Sequence, residues 1–431
     1  MYQRRLYAYY FFLLVILCTW FSTTSAPPMP LRLAFFTALV VPFFFKNITG
    51  YVPVLLCFTS IAAYGFSHSY MPTEKYIYLL VTGILFCVNL NRLNNFQKPP
   101  AILVLFSIYV LIVDLSTGKQ ITEIAYCLLI ILISFFLVSK DGHERNNYML
   151  AFMVITIILS IFFFTYGQSS AVEVSETGRR SWRDPNYFGN VCGMGILIAY
   201  NMIINKLYPN RSFKRIAILS IIMGMLLLVM NASRGAFLSA CVSIMIITLF
   251  AKTNSKTKFC VTASVITGFI VIYFLGFFDI LSDRFFNEED VTGNGRTVIW
   301  EAKLLGYTGL PIFSKIFGIG YKGGFNLAIP GGFGFHNDFL AFLVDYGVIG
   351  IIMLFVLLFY PIKQAWYSPQ KRIIIISMVI FLIICCSTLE PLTIGYLPFW
   401  YYYMMMVLYS RWKEPLRQKS YSPIPRKYNN E

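Results

Sequence analysis

An all-α polytopic membrane protein is the fold class that this sequence predicts. Three observations carry the prediction: 58% hydrophobic against 13% charged residues, apolar blocks of about 15–21 residues split by short polar punctuation, and an uneven division of Lys and Arg between alternate loops. A soluble domain carries about 25% charged residues, and here the polar side chains are too few to coat a water-facing surface. Strands are excluded, because lipid requires each backbone group to be satisfied within its segment or a closed barrel, and the alternation of roughly ten residues that a barrel strand needs is absent.

The predicted spans are 6–23, 31–45, 51–66, 76–90, 100–114, 121–138, 147–166, 185–204, 215–231, 234–251, 259–278, 337–360, 372–388 and 392–409. The second and third are short and joined by Lys46-Asn47 alone. They form either two full spans or a re-entrant pair, so the chain has 12–14 transmembrane helices by this reading. Arg4, Arg5 and the apolar run after them resemble a signal peptide, with Thr24-Ser25-Ala26 as a cleavage site. Pro27 and Pro28 directly after it argue against cleavage, so the first span is predicted to be a retained anchor.

Orientation follows from the basic residues. With the N-terminus inside, most of the 35 Lys and Arg fall in cytoplasmic segments, among them Lys206, Arg211, Lys214, Arg215, Lys252, Lys256 and Lys258. The net charge of +16 is then largely topological and does not imply a nucleic-acid partner. Residues 1–410 read as one transmembrane domain, and 411–431 as a basic cytoplasmic tail against the inner leaflet. All nine cysteines lie within apolar spans with no Cys-x-x-Cys spacing, so neither disulfides nor a thiolate metal site are expected.

The informative charges are those left outside. They gather at Arg179, Arg180 and Arg183 in a loop over 167–184, at Arg234, and in a loop over 279–336 that holds Arg296, Lys303 and Lys322. The longer loop is rich in aromatic and glycine residues, which predicts a folded cap over the membrane face. Span parity then matters. The spans beginning at Asp184-Pro185, Ser233-Arg234-Gly235 and His336-Asn337-Asp338 all start outside, and helix N-termini attract anions. Arginine forks beside them suit phosphate oxygens. The competing reading is that these arginines snorkel to outward lipid head groups; Arg234, with almost no loop around it, favours the site. Of the three histidines, His68 and His143 lie in short polar turns. His336 sits where the basic loop meets a helix start. Neighbouring arginines disfavour its charged form and leave it free to accept a proton. No second His stands at ligand spacing, so no metal is expected there.

Four features in order resemble the O-antigen polymerase/O-antigen ligase superfamily: the Arg-rich loop into Asp184-Pro185-Asn186; Ser233-Arg234-Gly235-Ala236; Gly295-Arg296 with Trp300; and His336-Asn337-Asp338-Phe339-Leu340 with Asp345-Tyr346-Gly347-Val348-Ile349-Gly350. The resemblance covers roughly 170–360. It implies a GT-C-like glycosyltransferase of the bacterial inner membrane, with both termini cytoplasmic and a periplasmic active site, using undecaprenyl-pyrophosphate-linked oligosaccharides without nucleotide sugar, cofactor or metal. By position His336 matches the family's general base. Arg234 and an arginine of the 179–183 group match its pyrophosphate ligands. Arg296, Lys322, Asn337 and Asp338, in the longer loop and at the helix start after it, are expected as further substrate-binding residues. Implied partners are the lipid-linked donor and acceptor, membrane lipids, a chain-length regulator and a flippase.

Within the superfamily, a polymerase joins lipid-linked repeat units, while a ligase moves the glycan to lipid A-core. Protein O-oligosaccharyltransferases usually carry a larger C-terminal region than follows the last span here. No residue separates polymerase from ligase, and polymerase is the expectation because polymerase sequences vary with each glycan. A flippase or other transporter would line a pathway with charge inside its spans. Here Asp114 and Glu390 lie at span ends and Asp345 is the main interior exception, which favours a one-sided enzyme.

Overall fold

The computed structural model describes residues 71–88, 90–119, 121–140, 145–165, 185–231, 233–274, 296–327, 334–393 and 395–412. The first three predicted spans, the 167–184 loop with Arg179, Arg180 and Arg183, His68, His143 and the tail lie outside these residues. Among the described residues the secondary structure is helical. In chain order the helices are α1 (Met71–Val88), α2 (Ala101–Ser116), α3 (Glu123–Phe135), α4 (Arg145–Thr165), α5 (Pro185–Ile204), α6 (Arg211–Met230), α7 (Arg234–Phe250) and α8 (Ser255–Phe274), then α9 (Arg296–Thr308), α10 (Ile312–Phe317), α11 (Asp338–Ala365), α12 (Pro369–Thr388) and α13 (Leu397–Arg411).

Each predicted span from the fourth onward coincides with one of these helices. By length and composition, four are long and apolar enough to cross a membrane: Asn186–Ile204, Arg211–Met230, Asp338–Ala365 and Pro369–Thr388. Shorter apolar helices, including Ala101–Ser116 and Arg234–Phe250, stand beside them. The chain is an all-α polytopic membrane protein. Local chemistry sets the ends. Thr122 accepts the Ala125 N–H at the start of α3, Asn210 accepts the Phe213 N–H at 2.9 Å at the start of α6, and Pro369 opens α12. α3 is shorter than its predicted span, because the chain turns after Phe135 to pair Phe96 with Ser139 in a single antiparallel bridge.

α13 forms the centre. Leu397 to Ser410 are buried all round, as a helix apolar on every face must be. α5 is almost as enclosed. Around them, α2 turns Leu105, Ile108, Ile112 and Leu115 outward in one stripe, which suits lipid rather than water. Two glycines one turn apart let helices meet closely. A Cβ at Gly189 would lie 3.0 Å from Ala236 on α7, and one at Gly193 would lie 2.8 Å from Phe381 on α12. The start of α5 is thereby held against α7 and α12.

Basic connections collect at one end of the bundle. There the Lys371 ammonium donates to the Trp412 carbonyl, Gln370 reaches Asn205, and Arg411 donates to the Lys98 carbonyl at 2.5 Å. The starts of α5, α7 and α11 lie at the opposite end.

α11 is not a continuous span. Gly347 breaks it with φ 68° and ψ −172°, a backbone region essentially confined to glycine. The break frees carbonyls, and the loop after α10 takes up two of them, Ile319 N–H donating to Val344 at 3.3 Å and Gly320 N–H to Asp345 at 2.8 Å, while the Tyr109 hydroxyl of α2 donates to Tyr346 at 2.7 Å. A Cβ at Gly347 would stand 2.3 Å from the Ile316 carbonyl oxygen. Gly347→Ala is therefore expected to lose about 1–3 kcal/mol from the backbone alone, with the clash in addition. Gly83→Ala, where nothing lies within 4 Å, is the control. Thermal unfolding of both detergent-solubilised variants checks this, and equal melting temperatures would refute it.

Candidate functional site

The cap is built from α9, α10 and the loop 318–327, and carboxylates bind it to the bundle. Asp345 accepts the N–H groups of Lys322 and Gly324, each at 2.9 Å. Asp114 accepts the Tyr321 N–H at 3.0 Å and the Thr122 hydroxyl at 2.6 Å. Glu123 accepts the Tyr321 hydroxyl at 2.8 Å. Asp345 is thus an anchor for loop backbone, and each of these carboxylates already holds protein donors. Lys303 of α9 is buried beneath the loop, donating to the Gly324 and Phe325 carbonyls at 2.5 and 3.1 Å with its ammonium 4.5 Å from the Phe335 ring centroid. Burial lowers its pKa, and the charges of Glu390 and Asp345 oppose that shift.

Three of the motifs singled out in the sequence meet at the C-terminal end of α12. Arg234 opens α7, and a Cβ on the adjacent Gly235 would lie 2.8 Å from the Thr388 hydroxyl, so the start of α7 packs directly on the end of α12. Arg296 donates to the Thr388 carbonyl at 2.7 Å, which satisfies a carbonyl in the last turn of α12. Trp300, one turn further along α9, donates to the Phe335 carbonyl at 2.6 Å and ties the cap to the residue before His336. The start of α5 joins the group, since the Ser233 hydroxyl donates to Asn186 at 3.1 Å and Tyr187 stacks on Tyr396 at 4.1 Å.

His336 is exposed and stands in the left-handed region with φ 50°. That conformation costs a side-chain-bearing residue about 1–2 kcal/mol. Its surroundings hold it there. Asn337 caps α11, accepting from Phe339 at 2.9 Å and Leu340 at 3.2 Å, and donates to the Ser387 carbonyl at 3.3 Å. Asp338 is buried; it accepts from the Leu392 N–H at 3.0 Å, the Thr393 N–H at 2.8 Å and the Thr393 hydroxyl at 2.6 Å. Both side chains are occupied by the protein itself and fix the start of α11 against the α12–α13 connection. Lys322 lies to one side: its backbone is left-handed, and its exposed ammonium is 4.0 Å from Glu123.

One residue of the site escaped the sequence reading. Glu390, just past α12, is buried against the backbone at Gly334. A Cβ at Gly334 would stand 3.1 and 3.2 Å from its two oxygens. Its Oε1 is buried with no hydrogen-bond partner among the described residues. Burial raises the carboxyl to about 8; Asp338 and Asp345 reinforce the shift, while the His336 N–H and Lys303 oppose it. The signal available in sequence was a single acid in a short outward connection, which reads as an ordinary span end.

The arrangement therefore sets an exposed imidazole beside a face where helix starts, Arg234 and Arg296 gather. Comparison with protein families matches residues 218–355 to the family described as O-antigen ligase, a stretch that contains Arg234, Arg296 and His336. No curated protein matches the chain.

Proposed function

Through residues 218–355 the chain belongs to the O-antigen polymerase/O-antigen ligase superfamily, and from that premise we propose that it joins undecaprenyl-pyrophosphate-linked repeat units at the periplasmic face of a bacterial inner membrane. The observation that supports this most is the meeting of Arg234, Arg296 and His336 around the end of α12. In the reaction, the acceptor hydroxyl loses its proton to the His336 imidazole. Its oxygen bonds to the sugar carbon, and the bond from that carbon to the diphosphate oxygen breaks. General base catalysis suits an exposed neutral imidazole. The departing diphosphate gains negative charge, which Arg234 and the start of α7 offset. Arg296 holds the end of α12 in place, and an arginine of the 179–183 group adds a second fork to the diphosphate.

Transfer to lipid A-core is the second reading, favoured by the matched family's own description. A deletion strain separates the two on a lipopolysaccharide gel. Core carrying one repeat unit is expected for a polymerase and bare core for a ligase. Loss of all periplasmic glycan would instead mark a lipid-linked-glycan flippase. A chain-length regulator and a flippase are the proteins with which a polymerase would work.

The orientation is tested separately. Single cysteines replacing Lys256, Arg180 or Gly323, in a background without the native nine, are expected to differ toward an impermeant thiol reagent in cells with a permeabilised outer membrane. Positions 180 and 323 label and 256 does not. The reverse pattern would turn the bundle over and place the site in the cytoplasm.

A further inference from the structure

Trp300 stands in a motif singled out in the sequence, yet the transfer reaction gives it no part. Its Nε1–H donates to the Phe335 carbonyl at 2.6 Å, and that carbonyl shares one rigid peptide plane with the His336 N–H. Turning this plane changes ψ of Phe335 and φ of His336 together. His336 is held at φ 50°, and an unfavourable conformation persists only where its surroundings over-determine it. We propose that Trp300 is a positioning residue for His336. It fixes the plane of the peptide between Phe335 and His336, holds the left-handed φ, and so sets where the imidazole meets the acceptor hydroxyl. The inference rests on the glycan-transfer reading above, which makes His336 the base.

The rest of Phe335 is fixed as well, so the carbonyl bond acts on a stationary residue. Phe335 is buried and packs with Ala341 and Val344 of α11. The Lys303 ammonium, on the same face of α9 one turn after Trp300, stands 4.5 Å from its ring centroid. A Cβ at Gly324 would lie 2.5 Å from the ring edge, so the ring is seated against loop backbone to which Lys303 also donates. On the other side of His336, Asn337 caps α11 and the Asp338 N–H donates to the Leu389 carbonyl at 3.0 Å. With both neighbours anchored, the freedom left at His336 is the rotation of the peptide before it, and Trp300 holds the oxygen of that peptide. Deleting the donor lets the plane turn toward an ordinary φ and re-aims the imidazole.

Purified full-length variants, assayed with undecaprenyl-diphosphate-linked repeat units extracted from the host, test the assignment. Trp300→Phe keeps an aromatic ring but loses the donor. Replacing Trp300 by 3-benzothienylalanine, with sulfur in place of the indole N–H, keeps the shape as well and guards against misfolding. Both are expected to lose roughly ten- to a hundredfold in kcat with the donor KM unchanged, the scale of a misplaced catalytic group. Tyr307→Phe is the matched control, since it deletes a different hydrogen bond of α9, from the Tyr307 hydroxyl to the Lys315 carbonyl of α10 at 3.0 Å. It is expected to keep kcat within about threefold. Wild-type kcat in the benzothienyl variant would overturn the inference. So would an equal loss in Tyr307→Phe, which would trace the effect to the stability of the cap. A readout without substrate separates this from failure of the functional reading: carbethoxylation of His336 by diethyl pyrocarbonate, read by mass spectrometry with His68 and His143 replaced by glutamine. Its rate should change several-fold in both Trp300 variants and stay as in wild type in Tyr307→Phe. An unchanged rate in the Trp300 variants refutes the positioning role, whereas a changed rate in a protein whose wild type transfers no glycan refutes only the function.

Discussion

Replacing His336 is expected to abolish visible polysaccharide ladders while leaving the protein folded and its lipid-linked donor bound. General base catalysis is worth about 10²–10⁴-fold, and a loss of that size empties a gel lane. The backbone decides which variants are informative. At φ 50°, Ala and Gln both carry the strain of the left-handed region, whereas Asn tolerates it better than most residues. His336→Asn keeps the conformation and a polar side chain but cannot take a proton, so it isolates the chemistry from the fold. His336→Gln tests the same point with a longer amide. The rate of the wild-type enzyme should also fall on acidification as the imidazole becomes protonated, and the residual rate of the Asn variant should not follow that limb. Near-normal turnover of purified His336→Asn would remove the histidine from proton transfer and leave it an orienting role.

Arg234 is expected to give the second large effect. If its fork meets two oxygens of the leaving diphosphate, lysine keeps the charge but loses the paired geometry. Removing one well-placed donor to a developing negative charge costs about 10²–10³-fold, and losing the charge as well should exceed that. Arg234→Lys is therefore expected to be severely impaired and Arg234→Ala inactive, both at normal abundance in the membrane. The loss should appear in kcat and kcat/KM together, because the charge it offsets develops as the bond breaks. An alanine variant with full activity would make Arg234 a lipid-facing snorkel and shift the diphosphate to the 179–183 arginines.

The spans were legible because their signal is additive: block lengths and punctuation survive without knowledge of neighbours, and α5 and α7 begin where the sequence places them. Arg234 and His336 were legible for a related reason, since a charge or imidazole stands out at the edge of an apolar run. What escaped depends on partners distant in the chain. Asp345-Tyr346-Gly347-Val348-Ile349-Gly350 reads as unbroken helix, and only the arrival of loop backbone from 319 and 320 makes a break at Gly347 affordable. Asp338 reads as a ligand, yet its carboxylate turns inward to residues 392 and 393. Glu390 looks like a span end until α11 is folded against it. Lys303, one cation among several in the longer loop, is buried under Gly324.

The interrupted helix has a further meaning for how such an enzyme can diverge. The cap loop is fastened to α11 partly by main-chain bonds, Ile319 to Val344 and Gly320 to Asp345, and main-chain groups are the same whatever side chain they carry. Substitutions of the loop's exposed side chains can therefore accumulate without loosening this attachment, provided that Gly318, Gly320 and Gly347 keep their positive φ. On the glycan-transfer reading proposed above, the expected consequence is that a lineage changes the sugar it accepts by drift in the cap while Arg234 and His336 stay as they are.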